Sequence, residues 1–335
     1  MAYTTIDDPT KYFDVTLWTG TGGARTISGL NHKPDLIWTK TRSVAYNHML
    51  SDSTRGFNAN SEIGANSDAA EGGLSADVYG YKSGHTSDGW TMVDGTDSVD
   101  NQEDGNTNQP SVTYVGWTWT ANGGTTSSNN DGDYTSTVQA NTTSGFSIVK
   151  YGDASSFSAS TPATVGHGLG STPKWILIKN LDGTRDWGVH HVSNGAGKII
   201  YLNLTNAVAN STGFDNGTLP SSSVFTVNTL NVANGNNLEY IAYCWAPIQG
   251  FSKFGSYKGN GESSGAFSYT GFKPAWLMIK RQDSSTNGDW AIYDNKRSNI
   301  GDGDNENNDF LRANGSNTEA SASGLDILSN GFKIR

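Results

Sequence analysis

Few stretches of this chain combine residue types that could do chemistry. GESSG (Gly261 to Gly265) has the G-x-S-x-G spacing of a serine nucleophile. That motif works when a strand, a sharp turn and a helix hold the hydroxyl at the tip of a sheet, and here a Gly/Ser turn is followed by no helical pattern. GDGDNENND (Gly301 to Asp309) carries Asp302, Asp304, Glu306 and Asp309, hard oxygen ligands suited to calcium, but lacks the glycine and terminal glutamate of an EF-hand loop. The Asp302–Asp309 stretch therefore reads as a solvated acidic loop, and Asp131 and Asp133 are a weaker version of it. The histidines, His32, His48, His85, His167, His190 and His191, include no pair at helical metal-ligand spacing. Adjacent His190 and His191 point to opposite faces of a strand. Cys244, the single cysteine, lies in an apolar run, which excludes an intrachain disulfide and predicts a buried thiol. Phosphate loops and dinucleotide fingerprints are missing, and sequons such as Asn203-Leu-Thr205 and Asn314-Gly-Ser316 carry little weight in so Asn/Ser/Thr-rich a chain. These patterns assign no catalytic, cofactor-binding or metal-ligating residue.

The elements available to position any such group are strands. Apolar runs of four to seven residues recur between Gly, Asn, Asp and Ser clusters, and no window shows helical periodicity. One pattern is written three times: GLNHKPDLIWTKTRSVAYNHMLSD near the start, GLGSTPKWILIKNLDGTRDWGVHH, and GFKPAWLMIKRQDSSTNGDWAIYD. Each has a proline (Pro34, Pro173, Pro274), an apolar run, and a lysine six positions after the proline (Lys40, Lys179, Lys280). Asp186-Trp187 and Asp289-Trp290 follow in the later copies, where the first has Asn47-His48. The prolines are 139 and 101 residues apart, which predicts tandem domains rather than a solenoid. The continuous runs Trp175–Ile178 and Trp276–Ile279 predict central strands covered on both faces, with the lysine marking where the strand leaves the core.

A second signature closes the first two units. YVGWTWT (Tyr114 to Thr120) aligns without gaps on YIAYCWA (Tyr240 to Ala246). With a period of two, Val115, Trp117 and Trp119 share a face, as do Ile241, Tyr243 and Trp245, while the opposite faces stay small. The pattern predicts a core strand; the competing reading is an aromatic sugar-binding platform. The expected fold is all-β: tandem β-sandwich units, jelly-roll or lectin-like, three related repeats with the last incomplete. An N-terminal segment (1–12) precedes unit one (13–120), a Gly/Ser/Thr/Asn-rich linker (121–145), unit two (146–250) and unit three (251–335). A polar insertion from Asn58 to Ser87 reads as a surface loop. Unit three reaches GFKIR (Gly331 to Arg335), the counterpart of SVFTV (Ser223 to Val227), without an aromatic closing strand after it; truncation or a segment from a partner subunit would account for the gap.

Charged residues make up 16% of the chain, and the formal charge of −10 argues against a nucleic-acid partner, which needs clustered Lys/Arg. The densest basic spot is Lys280-Arg281. With 10 Trp, 14 Tyr and 12 Phe the chain has ample area to bury, so disorder is excluded. The longest apolar stretch, Tyr240 to Ile248, is about half of a membrane span, and the first residues predict no signal peptide.

MAYTTIDDP, GFKPAWLMIK…DWAIYD, GFSKFGSYKGNG (Gly250 to Gly261) and LDILSNGFKIR (Leu325 to Arg335) together resemble the repeat-containing virion structural proteins, described as tail fibres, of tailed bacteriophages, especially marine ones. The resemblance spans nearly the whole chain. It implies a location in the virion, contacts with other virion proteins, a homo-oligomer with a trimer favoured, and a host cell-surface glycan or protein as the surface touched. It implies no catalytic motif, cofactor or membrane insertion. Attachment is the leading expectation, a purely structural tail or capsid component the second, and a polysaccharide depolymerase the third.

Overall fold

The computed structural model describes residues 4–152, 161–298 and 305–335. Unit one contributes β1 (Phe13–Thr19), β2 (Arg25–Ile27), β3 (Leu36–Thr41), β4 (Met49–Asp52), β5 (Ile63–Gly64), β6 (Tyr81–Thr86), β7 (Gly89–Val93) and β8 (Thr113–Trp119). The next strands are β9 (Ser127–Asn129), β10 (Ser136–Asn141), β11 (Phe146–Tyr151), β12 (Ala163–Gly166), β13 (Trp175–Asn180), β14 (Gly188–His191), β15 (Lys198–Tyr201), β16 (Ala209–Asn210), β17 (Val224–Val227) and β18 (Tyr240–Trp245). Unit three adds β19 (Phe267–Tyr269), β20 (Trp276–Lys280), β21 (Trp290–Asp294), β22 (Glu306–Arg312), β23 (Ala320–Leu328) and β24 (Gly331–Ile334). The α-helices, Ala76–Tyr79 and Thr212–Asp215, are single turns. The molecule is all-β, and every ladder between named strands is antiparallel.

Each unit places a larger sheet against a smaller layer. In unit one the order β1-β8-β3-β4-β5 faces β2-β7-β6; the unit-two sheet runs β16-β15-β14-β13-β18-β11-β10-β9 and faces β12-β17. In unit three the order β19-β24-β23-β22-β21-β20 joins both layers through its long middle strands. The alternation of the proline-headed strands decides which core each side chain enters. Leu36, Trp38, Trp175 and Leu177 lie in one central cluster, with Trp276 and Met278 packed against it. Ile37, on the opposite face of β3, lies in a core private to unit one; Ile176 and Ile178 lie in that of unit two, and Leu277 and Ile279 pack against that of unit three.

The closing strands divide in the same way. Val115, Trp117, Trp119, Ile241, Tyr243 and Trp245 enter the central cluster, so these aromatics are buried and unavailable as a sugar platform. Gly116 keeps the private face of β8 flat: a Cβ there would come within 3.0 Å of the Trp90 ring. Cys244 is buried on the private face of β18, and burial pushes its thiol up.

Two expectations are corrected. Residues 121–145 are not a linker, because β9 and β10 lie there and β10 pairs along its length with β11. Buried Gln139 in β10 also donates to Ser53 Oγ (2.9 Å) and Thr54 Oγ1 (2.8 Å), tying this segment to unit one. Its Ser/Thr/Asn composition suits a strand with one wet face as well as a coil, and that made it unreadable. The 58–87 insertion is not a surface loop either. It supplies β5, β6 and the buried ion pair Lys82–Glu62, at 3.1 Å.

Candidate functional site

None of the sequence-flagged groups converge on a reactive centre. Gly261 to Ser264 form exposed bends leading to strand β19, so the GESSG serine has no helix behind it. Asp302 and Asp304 lie outside the described residues, while Glu306 pairs with Arg335 and the Asp309 amide donates to Ser298 Oγ. Asp133 caps Thr164 through its amide and hydroxyl, which hold the carboxylate below its usual range, and Asp131 accepts from Asn129 Nδ2. Asp104 has a second carboxylate, Asp94, beside it. Burial raises the Asp104 pKa, and the like charge of Asp94 adds to this, while one Asp104 oxygen accepts the Gly23 amide. Asp215 and His190 border a cavity of ≈ 10 Å³, room for about one water.

What the fold does build is a set of junctions between units, and the same sequence positions make them. Trp187 Nε1 donates to the Gly64 carbonyl of unit one at 2.8 Å, and Trp290 Nε1 donates to the Tyr201 carbonyl of unit two at 2.8 Å. His48, at the corresponding place in unit one, donates from Nε2 to the Arg312 carbonyl of unit three at 2.9 Å. Its Nδ1 accepts from Trp38 Nε1, which fixes the neutral tautomer. The backbone of each of these residues donates to an asparagine (Asn203, Asn314, Asn66) whose amide returns to the preceding residue (Asp186, Asp289, Asn47). A second set runs backbone to backbone: Glu71 N to Leu181 O (2.9 Å), Val208 N to Gln282 O (2.9 Å) and Glu319 N to Arg42 O (2.8 Å). Each acceptor lies two residues after the lysine of the repeated pattern. The contacts run unit two to one, one to three and three to two, so the set closes on itself.

Charge is concentrated at two of the three seams. Asp52 takes Arg55 Nε at 2.6 Å and the hydroxyl of Tyr243, from the unit-two closing strand, at 2.7 Å. Asp294 takes Arg297 Nε at 2.5 Å and the indole N–H of Trp117, from the unit-one closing strand, at 2.9 Å. The Arg297 guanidinium also lies over the Trp117 ring, 5.5 Å from its centroid. Glu71 and Glu319 complete the two clusters by pairing with Arg55 and Arg297, and Glu319 reaches Arg42 across the seam at 2.7 Å. The third seam has His191, Asn194 and Val208 in the corresponding positions and no ion pair among them.

The pattern lysines do not leave the core, contrary to the sequence expectation. Lys40 and Lys179 are buried, and Lys280 is half-buried. Lys179 Nζ donates to the Arg185 carbonyl in its own unit and to the Asp68 carbonyl across the seam, and Lys280 makes the corresponding bonds to Gly288 and Leu204. Lys40 stays within its own turn, donating to the Thr41 carbonyl. Burial pushes these amines down, Lys40 to about 7 and Lys179 and Lys280 to about 8. Burial also lowers all six histidines, His190 and His191 to about 4.

A pH dependence follows. Between about 4 and 6.5 the unfolded histidines bind protons that the folded ones do not, so stability rises with pH; Asp104 and Asp215, whose pKa values burial raises, oppose this in part. From about 7–8 to 10.5 the unfolded lysines hold protons that the folded ones have lost, and stability rises again. Buried tyrosines such as Tyr243 reverse the slope at higher pH, because the unfolded phenol ionises first. Thermal melting scanned across this range should show both rises; a flat curve from about pH 7 to 9 would mean that the lysine ammonium groups stay charged and solvated.

Fold and seams together define an all-β protein of antiparallel sheets packed around a common core. The chain belongs to the family described as a domain of unknown function, DUF7483, whose match covers residues 8–335. No curated protein and no solved structure matches it.

Proposed function

We propose that the chain is a structural protein of a bacteriophage particle, a tail fibre or surface appendage that takes part in host attachment. The observation that carries this reading is the closed set of seams. The chain spends its aromatic strands and buried ion pairs on fixing three units to one another, as a load-bearing scaffold does, and leaves its turns outside. The sequence resemblance to virion proteins points the same way. In this reading the protein resides in the virion, its partners are other virion proteins, and the surface it meets is a host glycan or protein presented to its loops. A homotrimer remains the expected assembly, with a single chain carrying its own three units as the alternative that sedimentation separates. No catalytic step is assigned; the Asp94–Asp104 pair is the place to look should polysaccharide cleavage be found.

Two measurements test the reading. Antibodies against the chain should label purified particles in negative-stain images, and absence of label from disrupted and intact particles alike would remove the virion assignment. Labelled, folded protein should bind host cells saturably and lose binding to competing surface polysaccharide. Labelled particles without cell binding would leave the structural role alone.

A further inference from the structure

Among the described residues six carboxylates are buried, those of Asp35, Asp52, Glu62, Asp104, Asp215 and Asp294. All but one meet positive charge or several donors. Asp52 and Asp294 pair with Arg55 and Arg297, and Glu62 faces the Lys82 ammonium at 3.1 Å. Asp35 accepts the Ser53 hydroxyl at 2.7 Å and the amides of Ala121 and Gly123 at 2.7 and 2.8 Å. Asp215 accepts the Gly197 and Gly217 amides at 3.0 and 2.9 Å. Asp104, only 2% exposed, is the exception. Its Oδ2 takes a single amide, that of Gly23, at 3.1 Å. Its Oδ1 is buried with no hydrogen-bond partner among the described residues, and no lysine or arginine among them pairs with it. A buried carboxylate oxygen in that state is costly.

What Asp104 meets instead is the carboxyl of Asp94, which lies within hydrogen-bond reach of it. The two come from separate segments: Asp94 follows β7, and Asp104 ends the 3-10 turn Val99–Asp104. Asp104 is held firmly, since its carbonyl accepts the Thr107 and Asn108 amides at 2.8 Å and the Tyr114 hydroxyl at 3.3 Å. Asn108 Nδ2 in turn holds the turn that carries the Gly23 amide, through the Gly22 and Gly23 carbonyls at 3.0 and 2.9 Å. Arg25, on the neighbouring strand β2, directs Nη1 to the Thr19 carbonyl at 2.7 Å and to Asn108 Oδ1 at 3.3 Å. Asp94 is exposed, so its side of the pair opens to solvent. Two carboxyl groups in contact need either a shared proton or a cation between them.

We propose that Asp94 and Asp104 bind a divalent cation of the calcium class. A divalent ion neutralises the two carboxylates, and a donor set of oxygens alone selects a hard cation over zinc or copper. Asp104 Oδ1 is the inner ligand, already withdrawn from bulk water by the fold. Asp94 is the outer ligand, and water on its open side completes the irregular shell that calcium tolerates. So few protein ligands give a weak site, with a dissociation constant of about 10⁻⁴–10⁻³ M, the range of extracellular calcium modules. The bound ion ties the end of β7 to the 99–104 turn and, through the Gly23 amide, to the connection between β1 and β2. The inference is independent of the virion reading.

The test uses the full chain at neutral pH after treatment with a chelator, with calcium and terbium as probes. Calcium at about 10 mM should raise the melting temperature by about 2 °C, and sodium at matched ionic strength should not. Terbium emission should be sensitised by aromatic excitation, because the Tyr114 hydroxyl bonds the Asp104 carbonyl and Trp18 stacks on Tyr114 at 5.0 Å between centroids. Calcium should compete that emission away. Asp104→Asn and Asp94→Asn keep the side-chain shape and remove charge. Each should fold, lose the calcium shift, and move the terbium midpoint up by at least about tenfold. The control chain with Asp302→Asn and Asp304→Asn, in the other acidic stretch, should keep both effects. A wild-type chain whose melting calcium does not move would overturn the proposal and leave the two carboxyls sharing a proton. Equal calcium and terbium responses in wild type and both variants would overturn it as well, by placing the ion elsewhere.

Discussion

Replacing Asp294 with alanine should lower the unfolding free energy by about 3–5 kcal/mol, because it takes from a buried guanidinium the nearer of its two carboxylate partners. Arg297 is fully buried, and besides Asp294 it has Glu319 at 3.0 Å and the Ile292 carbonyl at 2.7 Å. The same carboxylate accepts the backbone N–H groups of Lys296 and Arg297 and the Trp117 indole, so one truncation loosens the turn after β21 and the seam with unit one together. Denaturant melts of Asp294→Ala, and of Asp52→Ala at the matching cluster, should show lowered midpoints. Adding Arg297→Met to Asp294→Ala should return much of the loss, since an apolar side chain in that space avoids a buried charge that has lost its nearer partner. Asp283, paired with Arg281 on the surface, provides the contrast: Asp283→Ala should leave the midpoint where it was. A small effect of Asp294→Ala would mean that water reaches Arg297 and that the seam is open in solution.

Trp187→Ala is the second large effect, expected at about 3–5 kcal/mol from the cavity left by a fully buried indole. Trp187→Phe separates packing from hydrogen bonding. It keeps most of the apolar volume but removes the donor to the Gly64 carbonyl, and should cost about 1–3 kcal/mol. The informative readout is local. Hydrogen exchange should quicken at β5 and around Asn203, the unit-one and unit-two partners of this residue, before it quickens at β23. Uniform acceleration over all three units would show that the seams open only with global unfolding.

Strand identity was readable because period-two alternation and Gly/Asn/Asp turns are local signals. The split of Val115, Trp117 and Trp119 from Gly116 and Thr118 distinguishes the two faces of the closing strand in the sequence alone. What each face meets was not readable. Trp187 stands out in sequence only as part of the repeated Asp-Trp pair, and nothing near it announces a carbonyl 123 residues away. The lysines misled for the same reason. A lysine at the end of an apolar run ordinarily marks an exit to solvent, and only the crowding of one unit on the next turns its ammonium toward buried carbonyls. The asparagines that close these junctions were hidden by unequal spacing: Asn66, Asn203 and Asn314 lie 18, 16 and 24 residues after His48, Trp187 and Trp290.

The circular order of the seams also bears on how the protein comes into being. Two of its joins link neighbours along the chain, but the third ties His48 to Arg312 and Arg42 to Glu319, 264 and 277 residues apart. Drawing such distant points together carries a loop entropy that grows only slowly with length, yet it slows the search for the native pairing. During synthesis the first unit emerges with the faces that will meet the third still wet, among them Trp117, the partner of Asp294. Through most of translation the nascent chain is thus an open clasp with aromatic surface on show, and it fastens only when the last stretch has left the ribosome.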